Sequence, residues 1–210
     1  MEETTAARFP ASLAIDYPER AVNRLTTFFR LFTIIPIWVI LALVSSVTMQ
    51  AHSKTFVIAA AGGIVFSATV LMLLFRRKYP RWWFDWNIEL TKFSLRVSTY
   101  LALLRDEYPS TDEEQAVHVV IPYPDASRDL NRWLPLVKWL LAIPHFIVLA
   151  LLAIAMVFCV IVAWFAILFT GRFPRGLFEF VVGVLRWWLR VMAYAFLLTT
   201  DRYPPFSLRP

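Results

Sequence analysis

From Leu134 to Phe169 the chain runs through apolar residues without a polar loop. This run constrains the fold most, because an unbroken helix over it would be roughly 50 Å long, against a hydrocarbon core of about 30 Å. The expectation is a tight helical hairpin turning near Ala153–Val157, with membrane spans over about 134–152 and 154–170. Earlier in the chain, apolar segments over about 31–47 and 56–75 are separated by the polar stretch "SSVTMQAHSK", which reads as the turn of a similar hairpin. Composition points the same way. Of the 210 residues 59% are hydrophobic and 17% charged, where soluble domains carry about 45–50% apolar and 25% charged residues.

The second constraint is repetition. "DYPERAVNRLTTFFRLFTIIP" (Asp16–Pro36) and "IPYPDASRDLNRWLPLVKWLLAIPH" (Ile121–His145) share a Tyr-Pro, an Asn-Arg, a basic residue and an Ile-Pro. Aligned this way, Tyr17 matches Tyr123, Arg24 matches Arg132, Arg30 matches Lys138 and Pro36 matches Pro144. Further on, Pro80-Arg81 matches Pro174-Arg175, Arg96 matches Arg190 and Tyr100 matches Tyr194. Each copy begins with a short alternating stretch ("FPASLAI", "AVHVVI") that reads as a half-buried strand. A basic knot follows each apolar region ("RRKYPR", "TGRFPR"), then a long striped segment and a Tyr-Pro exit. The predicted architecture is an all-α membrane protein of two tandem repeats, 1–110 and 111–210. Each repeat would be a transmembrane helical hairpin followed by an amphipathic interfacial helix, over about 81–104 and 175–198, with short β-strands at the cytoplasmic side.

The net charge of +6 does not suggest nucleic acid, because the basic residues flank apolar runs and form no single stripe. With two hairpins, only Lys54 of the Lys and Arg residues falls on the far side, and the positive-inside rule then places both termini in the cytoplasm. The N-terminus has no basic region leading into an apolar one, so no cleavable signal peptide is expected. In the striped segments Asp85, Glu89, Lys92 and Arg96 share one helical face, as do Glu179, Gly183, Arg186 and Arg190. Carrying such charges through the bilayer costs about 2.5–3.5 kcal/mol each on insertion scales unless they are paired. An interfacial placement keeps the stripe wet.

Three sets of residues are candidates for function. Arg24, Arg30, Arg76, Arg77, Lys78, Arg81, Arg132, Lys138, Arg172 and Arg175 are expected to hold anionic headgroups or to set topology. The stripes Asp85, Glu89, Lys92 and Arg96, and Glu179, Arg186 and Arg190, offer a polar seam for a partner or lipid. Pro36 and Pro144 remove a helical hydrogen bond and mark kinks. His52, His118 and His145 have no metal-site spacing; His145 could ligate haem or copper, but Ile37 stands in its place in the first copy. Cys159 is the single cysteine. No nucleophile elbow, zincin motif or phosphate-cradling glycine loop is present, so no catalytic residue, cofactor or metal is expected.

"RLTTFFRLFTIIP", "LLAIPHFIVLALL" and "AWFAILFTGRFPRGLFEFVVGVLRWWLRVMAYAFLLTTDRYPPFSL" resemble an uncharacterised bacterial membrane family catalogued as a domain of unknown function, number four-three-eight-nine. The second copy is closer to that pattern than the first. The resemblance implies a bacterial inner-membrane protein and transfers no catalytic residue. The functional expectation is a non-catalytic accessory or scaffold subunit that binds other membrane proteins and lipid, with self-association open. The alternative is a transporter of lipid or a small hydrophobic molecule with its site between the repeats.

Overall fold

A computed structural model describes residues 9–18, 23–37, 39, 41, 46–51, 54–59, 63–111, 113 and 115–210. In chain order the elements are β1 (Ser12–Ile15), α1 (Arg24–Thr33), β2 (Ser46–Ala51), β3 (Lys54–Ala59) and α2 (Gly63–Leu71, continued by a π-helical turn over Met72–Arg76). They are followed by α3 (Arg81–Leu101), β4 (Val117–Val120), α4 (Pro135–Leu141), α5 (Ile143–Thr170) and α6 (Arg175–Ala195).

The two alternating stretches form β1 and β4, which pair antiparallel with Leu13 opposite Val119 and Ile15 opposite Val117. These four residues are buried while their neighbours face outward, as period-two alternation requires. α6 lies across β1. Its Val181, Leu185 and Leu189 join Phe84, Ile88 and Leu95 of α3 and the inward strand residues in one core. Pro80 and Pro174 stand at the N-caps of α3 and α6, where a missing N–H costs nothing. Beyond the helices' C-termini, Leu103 (φ 63°) and Leu198 (φ 56°) take left-handed conformations that turn the chain back.

The two-hairpin polytopic architecture is overturned. Where a hairpin was expected near Ala153–Val157, α5 is one continuous helix, and among the described residues it is the one helix long and apolar enough to cross a membrane. At 1.5 Å per residue its 28 residues extend about 42 Å, enough to cross a hydrocarbon core of about 30 Å with both ends at the headgroup level. The break lies earlier, at Ala142, between α4 and α5, where Pro144 opens the new helix. The physical reason is local. "AIAMV" offers no turn residue, and a turn within hydrocarbon would leave backbone groups without partners.

The first half of the chain differs further. Phe56–Ala59 belong to β3, paired with β2 through Ser46↔Ala59 to Ala51↔Lys54, so the polar stretch read as a turn contributes to a strand pair. The apolar helix that follows, Gly63 to Arg76, is about 21 Å long and too short for a span. Of the expected span over 31–47, Trp38, Ile40 and Ala42–Ser45 lie outside the described residues, as does His52. Placing both termini on one side rested on two hairpins, and one candidate spanning helix among the described residues removes that basis.

Candidate functional site

The charged residues singled out from the sequence fall into two buried cages and an exposed remainder. In the first cage Arg30 of α1, 2% exposed, donates from Nη1 to the carbonyls of Tyr100 (3.1 Å) and Arg105 (3.0 Å). Its Nη2 pairs with Asp106, and its guanidinium lies 4.5 Å from the centroid of the Tyr100 ring. In the second, Lys138 of α4, 0% exposed, donates from Nζ to the Thr200 carbonyl at 2.7 Å. It pairs with Asp201 Oδ1 at 2.7 Å and lies 5.2 Å from the Tyr194 ring centroid. The aspartates have a second duty. Asp106 accepts from the Asn23 N–H at 2.8 Å and Asp201 from the Asn131 N–H at 2.5 Å, tethering the residue ahead of α1 to the segment after α3 and the stretch ahead of α4 to the segment after α6.

Electrostatics explains why each part is needed. A buried cation is strongly destabilising unless it is paired and hydrogen-bonded. Burial pulls the Lys138 ammonium below its ordinary range, and the Asp201 carboxylate acts against that shift. Arg30 and Lys138 therefore cannot meet headgroups as expected, since no solvent-facing surface remains to them. The two ion pairs join α1 to the chain that follows α3, and α4 to the chain that follows α6. Asp106 and Asp201 did not figure among the candidate residues, although both sit in a shared Asp-x-Tyr-Pro, Asp106–Pro109 and Asp201–Pro204, which was a legible signal.

The polar stripes split along their length. Asp85, Glu89 and Glu179 are exposed, and Lys92 pairs with Glu89 at 2.6 Å. Arg96 and Arg190 are instead buried, donating to the carbonyl of Ser110 (3.0 Å) and to those of Ser207 (3.2 Å) and Arg209 (2.6 Å). Arg186 reaches the carbonyls of Leu13 and Leu208, each at 3.1 Å. Burial holds the Arg186 and Arg190 guanidiniums below their ordinary range, with repulsion from Arg186 adding to the shift at Arg190. A wholly wet seam is thus corrected. Arg96 and Arg190 thus clamp the segments that follow their own helices, and Arg186 ties α6 both to β1 and to the C-terminal segment.

The knots carry reciprocal contacts. Tyr17 donates its hydroxyl to the Phe173 carbonyl at 2.5 Å, and Tyr123 donates to the Tyr79 carbonyl. Arg175 lies 5.3 Å from the Tyr17 ring and Arg81 5.4 Å from the Tyr123 ring. Arg24 donates to the Phe169 carbonyl at the end of α5 (3.3 Å), and Arg132 to the Leu74 carbonyl near the end of α2 (2.6 Å). Arg76, Arg77, Lys78 and Arg172 are exposed. Pro36 follows the end of α1 at Thr33, and Pro144 lies in the first turn of α5.

His145 is fully buried. Trp187 Nε1–H donates to its Nδ1 at 3.1 Å, and its ring stacks on Phe206 with centroids 3.9 Å apart. Among the described residues no group of three His, Cys, Asp or Glu side chains could hold a metal ion.

Compared with known proteins, the chain matches no curated protein and no solved structure. The model of a family described as Domain of unknown function (DUF4389) matches residues 133–207. That stretch takes in α4, α5, α6, Lys138 and Asp201, so the second cage lies wholly within the part of the chain that resembles this family.

Proposed function

We propose that this chain is a non-catalytic integral-membrane protein, an accessory or scaffold subunit whose α5 lies in the bilayer and docks other membrane proteins and lipid. One observation carries the reading. Only 11% of the most apolar 18-residue window of α5, with mean hydropathy 3.3, is buried within the protein. Ile147, Leu151, Ile154, Phe158, Ile161 and Phe165 recur at alternating spacings of four and three residues, each about half exposed or more. Leaving six such side chains in water forgoes on the order of 10 kcal/mol of burial at about 1.5–3 kcal/mol each. That is comparable with the whole stability of a typical domain, which supports an apolar surrounding for α5.

The paired cages, the reciprocal tyrosines and the crossed Arg24 and Arg132 contacts support reading the chain as two copies of one unit. The family resemblance supports a bacterial inner membrane as its place. Native mass spectrometry after extraction in polymer-bounded discs of native membrane tests the proposal. The expected result is a stoichiometric membrane-protein partner retained with the chain; a monomer or homo-oligomer carrying no other protein contradicts it.

A further inference from the structure

Resting on the membrane reading above, we infer that the first knot, Arg76–Arg81, with Arg132 is a seat for the phosphate of an anionic phospholipid. Arg76, Arg77, Lys78, Arg81 and Arg132 are all exposed, and among the described residues none of them is paired with a carboxylate. Contacts place all five at one end of α2. The chain passes from the π-helical turn directly into the knot, Arg132 bonds the Leu74 carbonyl, and Arg81 lies over Tyr123. Arg77, Lys78, Tyr79, Tyr123 and Ser127 line a cleft of about 470 Å³ there. Asp125 also borders it as a carboxylate that accepts from the Ser127 N–H (2.9 Å) and hydroxyl (2.6 Å) and lies 3.8 Å from the Arg128 guanidinium, while Arg77 and Lys78 supply the cations of the cleft.

The surroundings specify a lipid rather than a free anion. Leu71 (53% exposed), Phe75 (70%), Trp82 (69%) and Trp86 (42%) present apolar and indole surface beside the cations. Apolar side chains, indoles and arginines in that sequence suit acyl chain, interface and headgroup. Arg77 adds an independent sign. It holds a left-handed conformation (φ 48°) at the position where Gly171 (φ 74°) stands in the second copy, each three residues ahead of the knot proline. A side chain with a Cβ is disfavoured there, yet the chain carries a cation.

The full-length protein, reconstituted in nanodiscs of phosphatidylcholine with an equal share of phosphatidylglycerol, tests this. After partial delipidation, native mass spectrometry reads the enrichment of bound phosphatidylglycerol over phosphatidylcholine. Wild type should be enriched. Arg77→Gly should lower the enrichment roughly fivefold, while its thermal midpoint stays level or rises. Arg76→Gln with Lys78→Gln should lower it about twentyfold. Arg209→Gln, the loss of one exposed charge as in Arg77→Gly but outside the knot, should leave it unchanged, and added inorganic phosphate should not compete. The inference is overturned if enrichment is absent, if Arg209→Gln reduces it as much as Arg77→Gly, or if inorganic phosphate abolishes it, which would mark a free-anion site. Failure of wild type to remain with the disc would contradict the membrane reading itself, a separate outcome.

Discussion

Asp201 and Asp106 each neutralise a cation that solvent does not reach, and each also caps the start of an apolar region. Removing one carboxylate therefore strands a charge. Asp201→Ala should destabilise the fold by about 3–5 kcal/mol, read as a lowered thermal midpoint in detergent, and adding Lys138→Met should recover a large part of that loss. Gly183 works by absence. A Cβ built there would lie 2.9 Å from Leu208 Cβ and 3.1 Å from its carbonyl oxygen, so Gly183→Leu must displace the C-terminal segment. Overpacking of this kind costs about 1–3 kcal/mol, and faster proteolysis after Asp201 is the accompanying readout. The sequence marked Arg30, Lys138, Arg96 and Arg190 as unusual through their repetition. It left their direction open, because repetition records that a charge is kept and not which way it faces. Only tertiary contacts turn Arg190 onto the carbonyls of Ser207 and Arg209.

Among elements, α5 determines how the molecule meets its surroundings. Phe158 is 64% exposed near its middle. Phe158→Arg should reduce insertion by about 2.5–3.5 kcal/mol on insertion scales, seen as protein lost from alkali-washed membranes. A helix merely half covered in water would tolerate the same change. The starts of α3 and α6 were legible because Pro80 and Pro174 fix them, and strands β1 and β4 were legible from alternation. The division of the long apolar run was not. Uniform apolar sequence carries no register, so the turn was placed by length alone, whereas Pro144 had already supplied the break. In the first copy, apolar content could not separate the strand residues Phe56–Ala59 from the helix after them, since short apolar runs suit either.

Across the whole molecule, the halves grip each other through matched pairs: β1 with β4, Tyr17 with Phe173, Tyr123 with Tyr79. The motifs were readable one by one, but their crossing from half to half was not, because a repeat in sequence does not say whether its copies pack within or between themselves. Outside this core stands the bare face of α5, and the central claim is that lipid covers it. Phe158 stands near the middle of that face, whereas Cys159, the single cysteine, packs against the core, so Phe158→Cys in a Cys159→Ser background permits a direct measurement by spin-label accessibility in nanodiscs. The account predicts frequent collisions with oxygen and few with a water-soluble nickel chelate; the reverse ratio would place the helix in water and contradict it.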